Sequence, residues 1–318
     1  MHDLVEYELV DLHSSAEYLL KVLKRMASKS TNPNLKQVLD TYYSQAEYQK
    51  RKFADYFGKS EEEQAIENCL IMSKIQDYAN ASMRYPGSLQ IQDTALILAA
   101  NVMKKFEKTA FGTAISHENR LNREETSELL LILKKKIAEE DQKLLDLALS
   151  ILNQGGVAAL KQEAEKLHAN ITLSQIQDLE KLLAFLPEFS ESATSQELKN
   201  EIESWKNDLK NQYDILKKHL LKNEQMKEIP EWQVISGYIE KFKEHLESWE
   251  SKDLIDLWII ITIQRMQHLT IALLEVGSIL LKFSGKDEAK QQLDKLLEKE
   301  INNDKKFTAI SNKIEDSL

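Results

Sequence analysis

The chain has 318 residues, 42% of them hydrophobic, and a formal net charge of −10. A length of this order corresponds to about two domains, and the acidic balance disfavours nucleic acid and anionic membranes as partners, because both require a basic face. Cys69 is the one cysteine, which excludes an intramolecular disulfide and a cluster of thiolate metal ligands.

Apolar residues that recur every three or four positions predict long amphipathic helices in the first half of the chain. Pro33 suits the first turn of the second helix, and Gly58 suits the position just after its end. Ser60 and Glu63 have the spacing of a capping box, which predicts the start of a shorter helix. The predicted helices lie at about 3–29, 33–56, 60–82, 89–119 and 123–152.

The second half repeats this order after a linker at Asn153–Gly156. A bridging helix is predicted at about 157–169, and Ser174 is predicted to cap the helix that follows. The later helices are predicted at about 174–192, 196–222, 231–249, 253–284 and 286–316. No strand pattern occurs, so the sequence predicts two all-α bundles of four long helices and a short one each. The predicted domains are a first bundle at 1–154, a linker and bridging helix at 155–170, and a second bundle at 171–318.

The two halves are related by a constant separation of 163 residues, as between Glu17 and Glu180. The register holds without a gap through five helical segments, whereas chance similarity between helical sequences slips by three or four residues. We therefore interpret the chain as a tandem duplication. Further pairs at this separation are Thr31 with Thr194, Tyr42 with Trp205, Asp93 with Asp256 and Met103 with Met266.

The first and third long helices of the first copy carry motifs that resemble the YciE/YciF-type ferritin-like family, which is associated with bacterial stress responses. In the first helix the matching residues are Glu8, Leu9, Asp11, Leu12, Ala16 and Glu17, with His13 in place of a tyrosine. In the third they are Glu107, Ala110, Gly112 and Thr113, with Phe106 and Phe111 at aromatic positions. The second copy is similar in LPEFSESATSQELK and at His268, Ile271 and Ala272.

This resemblance implies a site for two metal ions between four helices, built from inward carboxylates and Glu-x-x-His motifs. The corresponding positions have degenerated here. In the first copy they hold Glu17, Glu47, Lys104 and Glu107, and in the second they hold Glu180, Lys210, Gln267, His268 and Glu300. Glu165 and His168 form the one Glu-x-x-His of the chain, and we interpret them as a solvated pair on the bridging helix.

Each copy thus has one lysine at a ligand position, where an ammonium group cannot coordinate a metal ion. Our hypothesis is that the lysine cation substitutes for the metal charge among buried carboxylates. The alternative is that both lysines reach solvent. The expected clusters are Lys104 with Glu17, Glu47 and Glu107, and Lys210 with Glu180 and Glu300.

The sequence favours a non-catalytic, stress-associated protein that acts as a covalent pseudo-dimer, without a cofactor, through an interface with an unknown protein partner. An acidic N-terminus and a longest apolar run of only seven residues, Leu257–Ile263, predict a cytoplasmic protein without a membrane partner. The alternative is a protein that binds iron or manganese, oxidising iron or handling peroxide, through Glu180, His268 and Glu300 of the second copy. An array of amphipathic helices that binds lipid or a partner is a third possibility, which the long repeat period disfavours.

Overall fold

The computed structural model describes residues 1–58, 69–138, 141–154, 157–221, 234–246, 248–249 and 251–318. The chain divides into two compact units, Met1–Gly155 and Gly156–Leu318. Over the described ranges the regular structure is helical, without a strand. The predicted all-α architecture of two tandem helical bundles is confirmed.

The helices described in the first unit are α1 (His2–Lys29), α2 (Pro33–Phe57), α3 (Leu70–Ser82), α4 (Leu89–Arg120), α5 (Glu124–Ala138) and α6 (Asp141–Leu152). Helix α1 packs against α2, α3 and α4, while α4 also packs against α5 and α6. One long helix was expected where α5 and α6 are found, on either side of residues 139–140, which lie outside the described residues. The predicted capping box at Ser60 and Glu63 also lies outside them.

The helices described in the second unit are α7 (Val157–Ser192), α8 (Gln196–Leu221), α9 (Val234–Leu246), α10 (Lys252–Ser284) and α11 (Asp287–Ser317). This unit is organised around α10, which packs against α7, α9 and α11, while α8 packs against α7 and α11.

The predicted bridging helix is not a separate element, because α7 runs without interruption from Val157 to Ser192. Ser174 therefore caps no helix and lies buried inside α7. The helix continues because residues 157–174 contain neither glycine nor proline. Ile171 and Ile176, around the expected break, are buried apolar residues that favour its continuation. Residues 157–170 therefore belong to the second unit, and Leu160, Ala164 and Leu167 contribute to its core.

The ends of α2 follow local sequence signals. The side-chain oxygen of Asn32 accepts the N–H groups of Asn34 and Leu35, at 2.9 and 3.2 Å, and Pro33 fills the first turn. Gly58 ends the helix with φ 59°, in the left-handed region that glycine adopts without steric penalty. These predictions of the helix boundaries are confirmed.

One turn is built in the same way in both units and fixes the start of the second long helix. In the first unit, Asp93 accepts the N–H of Thr31 at 3.0 Å, its hydroxyl at 2.7 Å and the next residue's N–H at 2.9 Å. In the second unit, Asp256 accepts the same three donors from Thr194 and its successor, at 2.6, 3.0 and 2.9 Å. Residues that are 163 positions apart in the sequence therefore make equivalent hydrogen bonds in this turn of the two units.

Within the described residues, α10 is the one helix that is long and apolar enough to cross a membrane by length and composition. Its most apolar 18-residue window is 89% buried inside the protein. The core helix of a soluble bundle meets the same criterion, so this helix is weak support for a membrane span. Burial on all sides explains its composition equally well.

Candidate functional site

The centre of the first unit contains a lysine that is fully buried. Lys104, on α4, is 0% exposed, and its Nζ donates a hydrogen bond to the carbonyl oxygen of Ile137 at 3.1 Å. The same ammonium lies 4.7 Å from the centroid of the Tyr42 ring, in a cation–π contact. The structure therefore places Lys104 inward, as the hypothesis of a buried lysine predicted.

Tyr42 also connects this lysine to a buried carboxylate. Its hydroxyl donates to Oε2 of Glu107 at 2.5 Å, and Glu107 is 0% exposed. Glu107 lies three residues after Lys104 on α4, so one face of this helix carries both charges. The first unit thus contains a compact polar centre made of an ammonium, an aromatic ring and a carboxylate.

The other two carboxylates predicted for this cluster lie elsewhere, which corrects the expectation of a four-residue cluster. Glu17 is partly exposed and pairs with Lys50 of α2 at 2.5 Å. Glu47 is exposed and forms a hydrogen bond with Tyr43, which raises the pKa of that phenol. Both carboxylates keep contact with water, which avoids the desolvation of several like charges in one core.

The second unit has its polar centre at corresponding positions, but with different chemistry. Glu300, on α11, is 2% exposed, and its Oε2 accepts weak hydrogen bonds from the Trp205 indole at 3.4 Å and the Gln267 amide at 3.5 Å. Burial raises the pKa of Glu300 from 4.5 to about 7. This carboxyl therefore takes up a proton at a pH where an exposed glutamate is ionised.

The repeat register shows how the two centres diverged. Trp205 and Gln267 correspond to Tyr42 and Lys104. The position of Glu300 is occupied in the first unit by Ile137, which offers its backbone oxygen to Lys104. The buried carboxylate of the polar centre therefore comes from α4 in the first unit and from α11 in the second.

The remaining positions of the second unit do not join this centre. The prediction that Lys210 lies between Glu180 and Glu300 is wrong, because Lys210 and Glu180 are both exposed. Glu180 accepts a hydrogen bond from the Tyr213 hydroxyl at 2.8 Å at the surface. His268 is partly exposed, with its Nε2 at 3.4 Å from Asp304. The alternative that a lysine reaches solvent thus holds for Lys210 and fails for Lys104.

A second buried polar cluster in the first unit was not predicted. Glu8 accepts the Thr113 hydroxyl at 2.5 Å, and its other oxygen lies 2.7 Å from Nδ1 of His117. Glu8 and His117 are 0% and 1% exposed. Glu8 and Thr113 are among the residues that match the motifs of the YciE/YciF-type family, so this match was the sequence feature from which the cluster could have been predicted. The second unit has apolar residues at these positions, Ile171, Val276 and Leu280.

His168 is also buried, which corrects its interpretation as half of a solvated pair. It is 4% exposed, and burial with the nearby His219 lowers its pKa from 6.5 to about 4. Glu165, its proposed partner, instead approaches Lys286 at 3.4 Å. The Glu-x-x-His spacing therefore has no metal-site geometry here.

The side chains present do not fit the di-metal site that the resemblance implies. An ammonium group, which cannot coordinate a metal ion, lies at the centre of the first unit, and in the second unit Trp205 and Gln267 contact the buried carboxyl. Across the part of the chain that the structure describes, no three His, Cys, Asp or Glu side chains are grouped in a way that could hold a metal ion.

Fold and site together define an all-α protein of two tandem helical bundles, each with a small polar centre. The chain belongs to the family described as "Domain of unknown function (DUF892)", which matches residues 1–156 and again 163–317. It is similar to Protein YciF of Escherichia coli (strain K12), with 26% identity over 159 residues, which are 48% of this chain and 93% of YciF. No solved structure matches the chain. The predicted membership of a YciF-type family as a tandem duplication is confirmed.

Proposed function

We propose that this protein is a non-catalytic, stress-associated member of its family whose polar centres work without metal. In this proposal the side chains of the protein itself supply the charge and hydrogen bonds that a bound ion would supply in a ferritin-like relative. Its function would reside in a surface that binds a protein partner. A cytoplasmic location belongs to the same proposal.

The observation that carries this proposal is the complete burial of Lys104. An unpaired ammonium in a protein core is strongly unfavourable, so its retention requires compensating groups. Ile137 supplies a carbonyl oxygen, Tyr42 a ring face, and Glu107 a carboxylate on the same helix. A cation at this position disfavours binding of a second cation by direct repulsion.

The second unit supports the same proposal by another route. Glu300 is held by an indole N–H and an amide rather than by cations. Its raised pKa means that a proton neutralises it at little free-energy cost near pH 7. The Oε1 atom of Gln267 is buried without a donor among the described residues, and a protonated Glu300 is suited to provide one.

The duplication supports a further part of the proposal, that one chain acts as a covalent pseudo-dimer. Light scattering of the purified full chain tests it. One chain per particle is expected, whereas a stable homodimer of the full chain would contradict the idea that the duplication replaces self-association.

The metal content of the purified chain tests the central claim. After expression with added iron, manganese and zinc, plasma mass spectrometry is expected to find less than about a tenth of an ion per chain. The metal content of the Lys104→Met variant tests whether the central cation keeps metal ions out. Lys210→Met, which removes a lysine at an exposed position, is the matched control. Stoichiometric metal in the wild-type chain that is lost in Glu300→Ala would overturn the proposal.

A metal-binding function of the second unit is the rival, and one observation favours it. The Nδ1 atom of His268 is buried without a hydrogen-bond partner in the described part of the chain, and imidazole nitrogen is a common metal ligand. Iron or manganese held by Glu180, His268 and Glu300 would then oxidise iron or handle peroxide. The rival requires Glu180 to leave its contact with Tyr213. Loss of bound metal in both Glu180→Ala and Glu300→Ala would establish it.

A further inference from the structure

A small cavity in the second unit brings together polar groups that lack partners. Gln175 and Asp178 on α7, Gln212 on α8 and Thr270 on α10 line it, and the rest of its wall is apolar. The apolar lining consists of Leu179, Leu182, Ile235, Leu269 and Leu273. The cavity shares no residue with the Glu300 cluster.

The three longest polar side chains of this wall are almost completely buried. Gln175, Asp178 and Gln212 are 4, 7 and 1% exposed. Both carboxylate oxygens of Asp178 and the amide nitrogens of the two glutamines have no hydrogen-bond partner among the described residues. Buried polar groups of this kind are rare, and ordered water is their usual partner.

The first unit shows what this arrangement replaces. The counterparts of Gln175, Asp178 and Gln212 there are Leu12, Ser15 and Gln49. The Ser15 hydroxyl and the Gln49 amide both donate to the carbonyl oxygen of Leu12, at 2.7 and 3.3 Å. One backbone oxygen therefore accepts from both side-chain donors at these positions of the first unit.

The geometry points to a binding site for one water molecule in the second unit, held between Asp178, Gln175 and Gln212. The cavity volume of about 10 Å³ is close to the minimum that one water requires. A water molecule accepts from two amide N–H groups through its two lone pairs and donates two hydrogen bonds to a carboxylate. It also serves a protonated Asp178, because it both donates and accepts.

A bound cation fits these groups less well. The amide groups present N–H donors to the cavity, which repel a cation, and a single carboxylate gives too few anionic ligands for a divalent ion. The water instead joins α7 to α8 through hydrogen bonds, in a place where the first unit uses a direct contact.

Oxygen-17 magnetic relaxation dispersion of the full chain tests this site, because it counts water molecules with long residence times. The double variant Gln175→Leu/Asp178→Ser introduces the residues of the first unit, and it is expected to lower the count by one. Asp178→Asn is the matched variant, since it keeps polar groups at the cavity and is expected to keep the water. An unchanged count in the folded double variant would overturn the proposal.

A crystal structure of the wild-type chain at high resolution provides a test that does not depend on a variant. Density for one atom at hydrogen-bond distance, about 2.7–3.2 Å, from Asp178 and both amides is expected. Absence of density in the cavity would refute the site. Density at the shorter distances and with the coordination of a metal ion would replace water by a cation and equally refute it.

Discussion

Replacing Glu300 by glutamine is expected to stabilise the second unit, and more so at pH 8 than at pH 5. Burial raises the pKa of this carboxyl from 4.5 to about 7, so the folded unit retains a proton that the unfolded chain releases between those values. Stability is therefore lost as the pH rises through this window, and the loss is complete above the folded pKa. At about 1.4 kcal/mol per pKa unit, full ionisation destabilises the unit by about 3 kcal/mol.

Tryptophan fluorescence reports this unit selectively, because all four tryptophans lie in it. Urea titrations of the wild-type chain and Glu300→Gln at both pH values give the free energy of unfolding of the second unit. The stabilisation is expected to be about 2–3 kcal/mol larger at pH 8 than at pH 5. Glu298→Gln, at an exposed position of the same helix, is the control and is expected to change little. The tryptophans are Trp205, Trp232, Trp249 and Trp258.

Two outcomes would refute this reasoning. A stabilisation that is equal at the two pH values would show that Glu300 does not titrate between them. A destabilisation at pH 8 would show that the ionised carboxylate has a compensating cation. His168 titrates in both proteins, so its contribution cancels in the comparison.

Four other variants test further buried polar and charged groups. Lys104→Ala is expected to destabilise the first unit by about 3–5 kcal/mol, measured by hydrogen exchange, because the Glu107 carboxylate is then buried without its nearby cation. A loss below about 0.5 kcal/mol would contradict a buried charge cluster. His168→Val is expected to remove an acid-sensitive contribution to the stability of the second unit: because the pKa of His168 is lowered to about 4, its contribution falls by up to about 3 kcal/mol as the pH falls from 6.5 to 4. An unchanged fluorescence-detected pH profile would refute this. Asp93→Ala and Asp256→Ala are each expected to destabilise their own unit by about 2–4 kcal/mol, since each removes a charged acceptor of several hydrogen bonds. A large effect in one unit alone would show that the two turns are not equivalent.

The duplication was the part of the structure most open to prediction. Sequence comparison paired Thr31 with Thr194 and Asp93 with Asp256, and in both units the threonine N–H and hydroxyl donate to the aspartate. A constant register survives in sequence because each contact requires particular residues at a fixed separation. The boundaries of α2 were equally predictable, since Pro33 and Gly58 act locally.

Whether a charged residue faces the core or the solvent was predicted less well. Lys104 was expected inside and is inside, whereas Lys210 and Glu47 were expected inside and are exposed. Apolar spacing places Lys104 between buried neighbours on a largely apolar helix, α4. On α2 and α8 the polar residues cover most of the circumference, so the helical period alone does not fix which charge faces the core.

By itself the sequence determined two similar all-α bundles and the order of their long helices. These properties follow from residue identity and short-range periodicity. Only the tertiary structure decided which polar groups meet: Tyr42 with Glu107, Trp205 with Glu300, and Glu8 with His117. Such pairings join residues that are 65 to 109 positions apart, and they depend on how helices are rotated against one another in a core. That rotation is set by the packing of all buried side chains together.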